Sequence, residues 1–125
     1  MNKEFVTYGQ ALALKELGFD EPCLGMYHTD SMFVIQQTKS HSQYYGQICS
    51  APLKQQVFKW FREKLGLHGK IDCYYNENFY VNIEELNHPR IYTATECKDI
   101  GIYSSYDEAE NKSINKLIEI VKNRL

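Results

Sequence analysis

The chain has 125 residues, with 14 Lys plus Arg against 16 Asp plus Glu and a formal charge of −2. That length suits one domain, expected over 1–125, and the near-balance of charge argues against a general nucleic-acid coat, which is strongly basic. Hydrophobic residues at 43% and charged residues at 24% allow a core and exclude disorder by composition. No apolar run approaches the roughly 20 residues of a membrane span, and residues 1–5 carry no apolar signal core, so a soluble protein of the cytoplasm is expected.

The first helix is announced by Thr7-Tyr8-Gly9-Gln10, which has the form of a capping box: a Thr cap with Gln three residues later. Phe5 or Val6 is placed to pack across that cap. Ala11, Leu12, Ala13, Leu14, Lys15, Glu16 and Leu17 favour helix, Gly18 can take the left-handed turn that ends it, and Phe19 returns an aromatic to the core. Residues 24–29 and 32–38 then read as two strands of a hairpin around Asp30-Ser31. The polar stretch 39–50 reads as an irregular loop.

A second helix is expected from Ser50, as N-cap, with Pro52 in its first turn. Leu53, Val57, Trp60, Phe61 and Leu65 recur at helical spacing, and Gly66 ends it. Residues 71–75 and 79–83 flank Asn76-Glu77-Asn78 as a second hairpin. Residues 90–97, after Pro89, alternate as a third strand, and 100–103 can add a short fourth piece. The last helix starts at Ser104 or Ser105. Ser105-Tyr106-Asp107-Glu108 is a second capping box, and Ile114, Leu117, Ile118, Val121 and Leu125 form the apolar stripe that docks it. The order is α-β-β-α-β-β-β-α. It predicts an α+β fold in which a small antiparallel sheet packs against three helices. Trp60, Phe61, Leu53, Val57, Leu117, Ile118 and Val121 are the expected core.

Cys23, Cys49, Cys73 and Cys97 lie about 25 residues apart. They form no close pair of the kind that holds zinc, and no export signal calls for disulfides, so free thiols and no bound metal are expected. His28, His41, His68 and His88 are isolated. No phosphate-binding, dinucleotide-binding or nucleophile-elbow motif is present. The expectation is a protein without catalytic residues or cofactor.

Charge is unevenly spread. Residues 41–70 carry five cations and one acid, a net of +4, whereas 71–110 carry two cations and nine acids, a net of −7. Segregated charge can simply keep a domain soluble. It can also steer a partner of opposite sign, with tyrosines supplying amphipathic contact. On that reading Glu84, Glu85, Glu96 and Asp99, with Tyr74, Tyr75 and Tyr80, are the candidate partner-binding residues. Basic neighbours for a base-stacking platform are mostly missing from those strands, so direct nucleic-acid binding is not expected there. Lys54, Lys59, Arg62 and Lys64 on the second helix keep a small nucleic-acid-binding module as the alternative.

Three blocks carry a resemblance. They are Glu4-Phe5-Val6-Thr7-Tyr8-Gly9-Gln10-Ala11-Leu12-Ala13-Leu14-Lys15-Glu16-Leu17-Gly18-Phe19-Asp20-Glu21-Pro22-Cys23, Ala51-Pro52-Leu53-Lys54-Gln55-Gln56-Val57-Phe58-Lys59-Trp60-Phe61-Arg62-Glu63-Lys64, and Tyr106-Asp107-Glu108-Ala109-Glu110 with Leu117-Ile118-Glu119-Ile120-Val121-Lys122. Together they resemble a family of small bacteriophage and prophage proteins that brings no established catalytic residues. The resemblance implies a context in the host cytoplasm. Small acidic phage proteins without catalytic motifs are often inhibitors of host defence, and anti-CRISPR proteins, similar in size and composition only, are the sharpest such class. The expected function is therefore a phage-encoded, non-enzymatic inhibitor, monomer or homodimer. Its expected partner is a basic host protein, foremost a CRISPR effector nuclease whose positively charged channel an acidic face can occupy. The alternative from this context is a phage accessory or structural protein.

Overall fold

Thr7 opens the first helix as expected. Its hydroxyl accepts from the Gln10 backbone N–H at 3.2 Å, and the Gln10 side-chain oxygen accepts from the Thr7 N–H at 2.9 Å. These contacts come from a computed structural model that describes residues 2–28, 31–39, 47–86, 90–92 and 102–124. The chain forms two compact units, Met1–Gln56 and Val57–Leu125.

In the first unit, helix α1 spans Tyr8–Glu16. Gly18 stands at φ 96, and the Gly18 and Phe19 N–H groups donate back to Lys15 O and Leu14 O at 3.1 and 3.0 Å. This pair of hydrogen bonds closes the helix, and Phe19, like Leu14, is buried in the core. Strands β1 (Cys23–His28) and β2 (Phe33–Lys39) form the expected antiparallel hairpin, with Tyr27 opposite Phe33. Strand β3 (Gln47–Ala51) pairs with the other edge of β1, giving the order β2-β1-β3. The expected loop over 39–50 is therefore a strand in its last residues. Ser50, expected as a helix cap, is a buried strand residue opposite Met26.

Close approach explains how so plain a sequence holds its place. A Cβ on Gly25 would stand 2.9 Å from Ala51 O and 2.7 Å from the Phe33 ring. Tyr27 fills the same face. Its ring meets Tyr8 and Phe33 edge-on, and its hydroxyl donates to Val6 O at 2.7 Å. The N-terminal segment is fastened by Val6 N–H donating to Pro52 O and by a bridge between Phe5 and Leu53. Leu53 is thus half-buried and precedes the second helix rather than lying in its core stripe.

Helix α2 spans Lys54–Leu65. Val57, Trp60 and Phe61 are buried as expected, with Trp60 at 7% exposure and stacked edge-on against Phe61. In the second unit, Gly66 at φ 67 turns the chain into strand β4 (Leu67–Tyr74), which pairs through all eight residues with β5 (Asn78–Glu85). The hairpin is longer than the expected 71–75 and 79–83. Its turn, Tyr75–Glu77, places both Asn76 and Glu77 at positive φ, near 61 and 62. Strands β6 (Arg90–Tyr92) and β7 (Ile102–Tyr103) pair with the far edge of β5. The rest of the expected strand over 90–97 lies outside the described residues.

Helix α3 spans Tyr106–Arg124 and lies on β4, β5 and β7. The Ser105 hydroxyl caps it by accepting from the Glu108 N–H at 3.1 Å. Leu117, Ile118 and Val121 are buried, and Ala109, Ser113, Ile114 and Ile120 complete the docked face. Gly69 lets both helices close on β4: a Cβ there would lie 3.0 Å from the Phe58 ring and 3.0 Å from Ser113 Oγ. The fold is α+β, with three helices and two small antiparallel sheets. No described helix is long and apolar enough to cross a membrane.

Candidate interaction surface

Neighbouring strand residues point to opposite faces. On β5, Val81 and Ile83 are buried, and Phe79 meets the Tyr106 ring of α3 at 5.5 Å. That face is the one toward α3. Glu85 shares it and is ion-paired with Arg124 near the end of α3, its own side chain only 13% exposed. Tyr80, Asn82 and Glu84 point the other way. Directly across from them on β4 stand Asp72, Lys70 and His68, and Tyr80 also stands opposite Ile102 of β7.

The expected contact residues are therefore not one patch. Glu84 and Glu85 are adjacent in sequence and face opposite sides of the sheet. Glu84 lies 3.6 Å from the Lys70 ammonium, and Glu85 anchors α3 through Arg124. Tyr80 is half-buried on the outer face. Tyr74 closes β4 and Tyr75 opens the turn. Glu96 and Asp99 lie outside the described residues.

A different set comes together at one end of the second unit. The β4–β5 turn carries exposed Glu77. The β7 strand pairs with Phe79 and Tyr80, just beyond that turn, and leads directly into α3. The first turn of α3 thus brings Asp107 and exposed Glu108 to the same end. Apolar surface accompanies them: Ile102 is 50% and Tyr106 49% exposed. Although the residue is half exposed, partial burial first and the Glu110 carboxylate second push the Tyr106 hydroxyl above its usual titration range.

The opposite end carries both signs, with Glu63 among the last cations of α2 and Glu84 and Glu85 at the close of β5. Leu86 N–H donates to Gly66 O, which brings the close of β5 to the close of α2. Arg62 and Lys64 end α2, and Lys122 and Arg124 end α3 there. Lys54, counted among the cations of the second helix, is buried at the other end of that helix. Sequence reasoning missed the acidic end because it is made by topology. Glu77 is isolated in the sequence, and Asp107 and Glu108 already have a role in capping a helix. Glu77 lies two residues before Phe79 and Asp107 four after its partner Tyr103, a nearness that exists only once those two strands pair.

The thiols differ by environment. Cys23 and Cys49 are buried, and Cys73 is exposed. The Cys23 Sγ donates to Glu21 O at 3.2 Å. Among the described residues, no three His, Cys, Asp or Glu side chains gather as a metal site. Comparison of the chain with known protein families, with curated proteins and with solved structures finds no match.

Proposed function

We propose that the chain is a non-enzymatic binding protein whose acidic end, built from Glu77, Asp107 and Glu108 with Tyr106 and Ile102, docks on a basic surface of another protein. The carrying observation is the gathering of Glu77, Asp107 and Glu108 at one end of the second unit, whereas at its other end the acids Glu63, Glu84 and Glu85 are interleaved with cations. Charges that only kept the chain dissolved need no such grouping of unbalanced acids. Exposed aromatic and aliphatic groups beside the acids supply the contact that holds a complex once charge has steered it.

The resemblance to phage proteins supplies the context for a partner. The reading is an inhibitor acting in the host cytoplasm on a defence protein, and the foremost partner is an RNA-guided nuclease, whose guide–target duplex lies in a positively charged channel. A phage accessory role remains the alternative. The nucleic-acid alternative rests on Lys59, Arg62 and Lys64, which are exposed on α2 with Glu63 among them. Fluorescence anisotropy with a labelled RNA oligonucleotide decides that point.

The main test is phage plating on cells that carry the effector and express the protein. Wild type is expected to restore plaques, and Glu77→Lys/Glu108→Lys to lose that protection at least tenfold while keeping its far-ultraviolet circular dichroism. Equal inhibition by both would remove the acidic end from the mechanism. No inhibition by either would sink the anti-defence reading for that effector.

A further inference from the structure

Strand β4 is an edge of its sheet. It pairs with β5 through all eight residues on one side, and among the described residues no strand pairs with its other side. An edge of that length presents a row of backbone donors and acceptors able to template another strand. Natural edges are usually short or interrupted. Here β6 spans three residues and β7 two, so β4 is the long edge of this unit.

The sequence of β4 is self-complementary when read against itself in the antiparallel sense. With Ile71 opposite Ile71 of a second copy, Lys70 falls opposite Asp72 of that copy and Asp72 opposite its Lys70. Both pairs lie on the outer face, where Lys70 already has Glu84 at 3.6 Å on its other flank. Gly69 falls opposite exposed Cys73, and the larger His68 and Tyr74 face each other only at the ends of the paired stretch. Shifting the register by two residues either way sets Lys70 opposite Lys70 or Asp72 opposite Asp72. Like charges directly opposite destabilise a strand pair, whereas opposite charges favour it. The edge strands of the first unit offer no such match. The residues of β2, Phe33-Val34-Ile35-Gln36-Gln37-Thr38-Lys39, carry one charge, and those of β3 carry none.

We infer that two copies of this chain associate through antiparallel β4–β4 pairing about a two-fold axis at Ile71, joining their second-unit sheets into one. The interface is isologous, because the same strand serves both sides. It is distinct from the acidic end proposed above, and neither depends on the other.

Sedimentation velocity over a concentration series tests it. Wild type is expected to shift from monomer to dimer. Lys70→Asp and Asp72→Lys, each alone, are expected to weaken self-association by roughly tenfold or more, since each sets like charges opposite one another twice. Mixed one to one, these two variants are expected to form a heterodimer, because every cross-strand position then meets its opposite. A merely structural defect in either variant would not be repaired by mixing. A second measurement does not depend on those charges. Ile71→Cys in a Cys73→Ser background is expected to oxidise to a disulfide-linked dimer whose bond maps to residue 71 by peptide mass, because directly opposed residues come within disulfide reach. A wild type that stays monomeric throughout, single variants that dimerise as well as wild type, a mixture that stays monomeric, or no crosslink at residue 71 would each overturn the inference.

Discussion

Cys23 and Cys49 show how burial alone sets the chemistry of a residue. Burial pushes the Cys23 thiol up to about 12, and the Glu21 carboxylate adds to the effect. Burial likewise raises Cys49 to about 11, against the opposing pull of the Lys15 ammonium. The thiolate is the reactive form, so both are poor nucleophiles, and exposed Cys73 is expected to react with a thiol reagent well ahead of them in native protein at pH 8. The same shifts couple to stability. Below 9.0, the ordinary thiol value, folded and unfolded chains both hold the proton. Above it the unfolded chain releases the proton first, so the folded state loses ground until the buried thiol titrates as well. Stability is therefore expected to fall as pH rises from 9.0 toward about 12. Urea midpoints measured between pH 8 and pH 10.5 check this. Cys23→Ala/Cys49→Ala starts less stable but should decline less steeply, and parallel curves would refute the linkage.

Among the elements, those with local end signals were legible and those made by pairing were not. Thr7 with Gln10 and Ser105 with Glu108 mark helix starts within four residues of sequence, and both caps form. Gly18 and Gly66 mark the ends, and both take positive φ. Val57, Trp60, Phe61, Leu117, Ile118 and Val121 followed from helical spacing because a docked helix must bury one stripe. Strand β3 has no such signal. Gln47-Ile48-Cys49-Ser50-Ala51 contains one β-branched residue, and its partners on β1 lie from 19 (His28 with Gln47) to 26 (Gly25 with Ala51) residues earlier. The first half of β4 was hidden similarly, since Leu67-His68-Gly69-Lys70 does not alternate and Gly69 weakens a strand unless something needs the space. Two helices do need it. These two glycines make different predictions. Gly25→Ala drives a Cβ against the backbone oxygen of Ala51, which a paired strand cannot move, and it is expected to cost about 1–3 kcal/mol in urea denaturation. Gly69→Ala meets a Phe58 ring edge and the Ser113 hydroxyl at 3.0 Å, both side chains that can give, and should cost less. A Gly69→Ala penalty above that of Gly25→Ala would mean that α2 and α3 are seated on β4 more rigidly than β1 is held between its neighbours.

At the scale of the whole molecule, the formal charge of −2 hides more than it tells. The sequence showed a −7 segment, but strand alternation and topology divide it. Glu85 anchors a helix, Glu84 sits beside Lys70, and Glu77, Asp107 and Glu108 gather at one end. Linear charge counting cannot see this, because which acids become neighbours is decided by where the chain turns back. A surface field depends on that spatial grouping and falls off within a Debye length, about 10 Å at 0.1 M salt. Two variants of equal formal charge separate grouping from total. Glu77→Gln/Glu108→Gln removes two acids from the acidic end, and Glu4→Gln/Glu16→Gln removes two exposed acids of the first unit, so that each goes from −2 to 0. On an anion exchanger, a molecule binds by its most negative region rather than by its total. The first variant is therefore expected to elute at clearly lower salt than the second, and the second close to wild type. If the two elute together, the acids at the hairpin turn and the start of α3 make no concentrated potential, and steering of a basic partner by that end loses its physical basis.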